Sequence, residues 1–65
     1  MKIYVAIAKC GCYDEVIEKI IYVGTNITIA TENLKKHDFD SDVNNFGWIE
    51  IWEKGKFLCT KEVIN

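Results

Sequence analysis

The chain has 65 residues, 49% of them apolar, with ten isoleucines and no proline, so it reads as one small domain over residues 1–65 and not as a disordered segment. Eight lysines, no arginine and ten acidic residues leave a formal charge of −2, which argues against nucleic acid as a partner, because neutralising phosphates takes a basic stripe and base readout leans on arginine. A chain this short buries only about 60% of the surface it exposes when unfolded, and oligomerisation or a tightly held partner would relieve its apolar excess.

Residues 2–9 alternate Ile3, Val5 and Ile7 with Tyr4, Ala6 and Ala8, the pattern of a strand with one bulky face and one small face that another layer can approach closely. The segment has no basic leader followed by a cleavage site, and no stretch reaches the roughly 18–20 apolar residues of a membrane helix. Three cysteines are an odd number, which fits reduced thiols. The expectation is therefore a protein of a bacterial type of cytoplasm, with no membrane association.

A turn is expected over residues 10–14, where Gly11 supplies backbone freedom. Residues 16–23 read as a second strand, with Ile17, Ile21 and Val23 on one side and Val16, Ile20 and Tyr22 on the other. Two apolar faces place it in the sheet interior. After Gly24 and Thr25, Asn26 or Thr28 can cap a helix running from Ile27 to about His37. Ile27, Ala30 and Leu34 recur at helical spacing, and Lys35, Lys36 and His37 occupy the last turn, where cations suit the helix dipole. Ile27-Thr28-Ile29 could instead prolong the strand. The polar residues 38–45 read as a loop.

The stretch from Phe46 to Ile64 is a β-hairpin joined at Lys54-Gly55. Phe46, Trp48, Glu50 and Trp52 fall on one side of its first strand and Ile49 and Ile51 on the other, so both sides are largely apolar. A two-residue turn sets Glu53 opposite Lys56, Trp52 opposite Phe57, Ile51 opposite Leu58 and Trp48 opposite Lys61. A three-residue bulged loop would slip the second strand by one and exchange its faces. The first register is preferred, because it pairs charge with charge and aromatic with aromatic.

These elements make an α+β domain of about four antiparallel strands with one helix on one face, in the order ββαββ. One short helix covers only part of such a sheet. The uncovered face, with Trp48, Trp52, Phe57, Glu50 and Lys61, is the candidate interface for a partner or a second copy, and Tyr13 is a further candidate in its loop.

Three constellations carry possible chemistry. Cys10, Cys12, Cys59 and His37 are soft ligands, but zinc sites usually set about two to four residues between paired ligands and add a second close pair, and buried or half-buried thiols are the preferred reading. Asp38, Asp40 and Asp42 resemble the start of a calcium loop, yet Val43 replaces the required glycine and Ile49 stands where the bidentate glutamate belongs. Glu50 between two tryptophans has the surroundings of a buried acid, with no accompanying nucleophile, base or phosphate loop, and it reads as a rim residue paired diagonally with Lys61. No metal, cofactor or catalytic residue is assigned.

Taken whole, the architecture from Lys2 to Ile64, the lysine-only basic complement and the opening MKIYV resemble the very short one-domain proteins of bacteriophages and mobile elements. Some of those are anti-CRISPR or other anti-defence proteins with a small sheet and one helix. The resemblance carries over no functional residue. It implies a non-enzymatic inhibitor that binds a host immune protein stoichiometrically; the residues themselves add the expectation of a homodimer whose aromatic hairpin face or Tyr13 loop engages that protein. Two alternatives come from other classes. One is a sponge that holds a nucleotide signal between protomers, with aromatics for stacking and Lys56 or Lys61 for phosphate. The other is a small cysteine-dependent metal module.

Overall fold

A computed structural model describes residues 1–12, 15–37 and 45–64, with the backbone alone for residues 12, 15 and 16. In chain order the elements are β1 (Lys2–Cys12), β2 (Glu15–Gly24), α1 (Ile27–Lys36), β3 (Asn45–Glu53) and β4 (Lys56–Ile64). The strands form one four-stranded antiparallel sheet in the order β2-β1-β3-β4. The described residues thus form an α+β fold, a four-stranded antiparallel sheet with one helix.

The helix begins where its sequence supplies a cap. Asn26 is extended, at φ −116° and ψ 106°, and its Oδ1 accepts hydrogen bonds from the backbone N–H groups of Thr28 at 2.9 Å and Ile29 at 3.2 Å. Two of the first-turn donors that the helix itself leaves unpaired are thereby satisfied. Thr31 Oγ1 donates back to the Ile27 carbonyl at 2.8 Å. At the other end Lys35 and Lys36 fill the last turn, and the His37 backbone N–H closes on the Leu34 carbonyl at 3.2 Å.

Helix and sheet meet through small residues. Ala30 and Leu34 pack with Ala6 and Ala8 of β1 and Ile49 of β3, all five at most 3% exposed. The alternation of β1 explains this contact, since its alanines let the helix backbone come close. Gly47 continues the small surface on β3: a Cβ there would stand 3.0 Å from Leu34 Cδ2 and 3.3 Å from Ile64 Cβ. Tyr4, Ile21, Tyr22, Ile27, Ile51, Val63 and Ile64 surround this core, and Leu34 and Ile49 are its two large side chains with no exposed surface.

Three expectations need correcting. The turn expected over residues 10–14 does not include residues 10–12, because β1 runs on through Cys10, Gly11 and Cys12, which pair with Ile17, Val16 and Glu15. Strand β2 is an edge strand and not an interior one, since β1 and β3 take the middle of the sheet. Its two-sided apolar pattern arises from exposed aliphatics, with Ile20 at 66% and Val23 at 61% exposure. The expected division of its side chains also fails, because Ile21 is an extra residue between the pairs Ala6–Tyr22 and Ile7–Ile20. That bulge places Ile20 and Val23 on one face and Tyr22 on the other.

In the hairpin the two-residue turn is present, with φ 54° at Lys54 and φ 77° at Gly55. Both values lie in the left-handed region, which matches the twist of the flanking strands. Glu53–Lys56 and Trp52–Phe57 pair as the turn dictates. Beyond them the expected register fails. Leu58 is bulged out, so that Ile51 faces Cys59, Ile49 faces Lys61 and Trp48 faces Glu62.

Candidate binding face

The register sorts the strand side chains into two faces. The odd-numbered residues of β1 and the even-numbered residues of β3 contribute nothing to the cluster around the helix. They form rungs across the sheet. Phe57, Trp52 and Ile3 make the first, Thr60, Glu50, Val5 and Val23 the second, Glu62, Trp48, Ile7 and Ile20 the third, and Phe46, Lys9 and Glu18 the fourth. The centre of this face is apolar except for Glu50, which stands between the two tryptophans on β3; its other polar groups lie on β4 and the fourth rung.

Of the sequence-derived site residues, Trp48, Trp52, Glu50 and Phe57 share this face. Trp52 and Phe57 meet edge to face, with ring centroids 5.5 Å apart and planes at 68°, a favourable geometry for two ring quadrupoles. Trp52 Nε1 donates to Glu50 Oε1 at 3.2 Å. This bond ties the indole to the carboxylate two residues away on the same strand, which holds both in place along the sheet surface. Trp48 and Trp52 are each only partly buried, and Phe57 is 50% exposed. Between Phe46, Trp48, Thr60 and Glu62, with Lys9 beside them, lies an open hollow of about 330 Å³.

Lys61 does not belong to this group. The Leu58 bulge sets it opposite Ile49, on the side of the sheet that carries the helix, and Glu50 faces Thr60 across the ladder. The diagonal Glu50–Lys61 pair therefore does not form. Lys56, opposite Glu53, lies on the helix side as well, so both lysines invoked for a nucleotide phosphate point away from the tryptophans. The lysine on the tryptophan face is Lys9, opposite Phe46. Sequence reasoning missed it and the aliphatic half of the face. The alternation of Ile3, Val5, Ile7 and Lys9 holds the signal, once β1 is known to pair with β3.

Tyr13 lies outside the described residues, as do Asp38, Asp40 and Asp42 of the calcium-like segment. Cys10 is buried and Cys59 exposed. Their partners on β3 are Asn45 and Ile51, which puts the two thiols about 20 Å apart along the sheet and prevents them from sharing one metal ion. Among the described residues no three His, Cys, Asp or Glu side chains come together as a metal site, and no helix is long and apolar enough to cross a membrane. Comparison with protein-family models, with curated proteins and with solved structures found no match.

Proposed function

We propose that this chain is a non-enzymatic binding protein that acts by stoichiometric docking through its open sheet face. In this reading the ββαββ order gives the sheet one covered and one open side: the helix closes the side with Ala6, Ala8 and Ile49, and the other side is kept for a partner. The observation that carries it is the gathering of Trp48, Trp52 and Phe57 with Ile20 and Val23 on the face that adds nothing to the helix cluster. Tryptophan and other aromatics dominate interface energetics, and exposed large apolar side chains gathered on one face mark a surface kept for a partner.

The partner class follows the resemblance to short anti-defence proteins: a host immune component in the bacterial cytoplasm, blocked by occupation of its surface. The nucleotide-sponge reading keeps the aromatics but loses Lys56 and Lys61 to the other side of the sheet. The test is phage plating on cells that carry an anti-phage defence and express the chain. The wild type should restore plating, and the Trp48→Ala/Trp52→Ala variant should lose that effect while still folding. A folded double variant with full restoration would overturn the proposal.

A further inference from the structure

The exposed large apolar residues are not spread evenly. Phe46, Phe57, Ile20 and Val23 stand on the open face at 40%, 50%, 66% and 61% exposure, whereas Met1 precedes β1, Ile29 belongs to the helix and Leu58 to a bulge. The edges of the sheet offer a partner much less. Each edge strand carries extra residues, Ile21 in β2 and Leu58 and Val63 in β4. Bulges of this kind twist an edge away from pairing with a further strand. A partner is thus directed to the face.

The size of the face suits a second copy of the chain. Four strands about 4.8 Å apart, paired over nine residues rising about 3.4 Å each, span roughly 600 Å² as a flat rectangle. Protruding Trp, Phe and Ile side chains add to this area. Two such faces in contact bury about 1,200 Å² or more, within the range of stable specific interfaces. An apolar sheet face meeting its own copy about a two-fold axis makes a sandwich with the usual spacing of about 10 Å between sheets. The second copy is also present at the chain's own concentration before any target is met.

We propose that the target-free protein is a two-fold homodimer in which the open faces of two copies pack as a sandwich, burying Ile20, Val23, Trp48, Trp52 and Phe57. A target then gains the face by displacing the second copy. The proposal rests on the open face being the docking surface. The two can fail separately, because the dimer is measured on the purified chain and inhibition in cells.

The experiment is solution mass by light scattering over a concentration series. The wild type should give twice the chain mass of 7.5 kDa. The Ile20→Lys/Val23→Lys variant changes residues outside the helix cluster, so it should fold, and its dimer dissociation constant should rise about 100-fold or more through unpaired buried charge. Ile29→Lys, on the helix, should leave the dimer intact. If circular dichroism finds the double variant unfolded, Phe57→Lys carries the same test. A wild type that is monomeric throughout, a folded face variant that dimerises as tightly as wild type, or dissociation by Ile29→Lys would each overturn the proposal.

Discussion

The contact between Gly47 and Leu34 makes a quantitative prediction about the core. A methyl group added at Gly47 would lie 3.0 Å from Leu34 Cδ2 and 3.3 Å from Ile64 Cβ, closer than packed carbons normally stand. Gly47→Ala should therefore cost about 1–2 kcal/mol through overpacking, partly offset by roughly 0.5–1 kcal/mol from the lower conformational freedom of alanine in the unfolded chain. Leu34→Val removes the opposing Cδ2 and should cost about 1 kcal/mol on its own. In the double variant the added methyl enters space the leucine has left, so the two costs should sum to about 1 kcal/mol less than their separate values. The contact with Ile64 persists and limits the recovery. Urea unfolding followed by far-ultraviolet circular dichroism measures all four corners of the cycle, at one fixed protein concentration, because self-association makes stability depend on concentration. Strict additivity, within about 0.3–0.5 kcal/mol, would refute the claim that Gly47 is kept small by the helix.

Four further predictions concern the cap, the turn and the thiols. Asn26→Ala removes the acceptor for the Thr28 and Ile29 N–H groups and should lower stability by about 1 kcal/mol in the same assay. Gly55→Ala, at φ 77°, should cost about 1 kcal/mol or more. Lys54→Asn, at φ 54°, should be neutral or stabilising by some tenths of a kcal/mol, because asparagine tolerates the left-handed region better. A thiol reagent should label exposed Cys59 quickly in the folded protein and buried Cys10 only at the rate of opening. Mass spectrometry of tryptic peptides over time would show the order, and equal rates would contradict the burial.

Local chemistry made the best-read parts of the fold legible. Asn26 before an apolar helical repeat and Lys54-Gly55 between two β-type runs each solve a backbone problem within a few residues. Their outcomes, the cap on Thr28 and Ile29 and the paired left-handed turn, follow without reference to the rest of the chain. The alanines of β1 were legible for the same reason. The misplaced features all depend on where strands lie in the sheet. An edge strand serving an open apolar face and a buried central strand leave the same two-sided pattern, so the pattern alone places β2 in the interior. The bulges at Ile21 and Leu58 have no composition signal, and each moves the residues beyond it to the opposite face, in β4 as far as the second bulge at Val63. That is why Trp52 and Phe57, next to the turn, were paired correctly while Lys61, beyond the bulge, was assigned to the wrong face. The aliphatic half of the candidate site stayed hidden because it comes from β1 and β2, distant in sequence from the aromatic hairpin.

Both tryptophans of the chain lie on the open face, so tryptophan emission reports on that face alone. The most direct measurement is acrylamide quenching of tryptophan emission in the purified wild-type protein across a dilution series. If a second copy covers the face, quenching should be weak when the protein is concentrated and should rise on dilution, with a midpoint that shifts to higher concentration in Ile20→Lys/Val23→Lys. Strong quenching that does not change with concentration would contradict coverage by a second copy. Weak quenching that persists at every dilution, in wild type and variant alike, would contradict the open face itself.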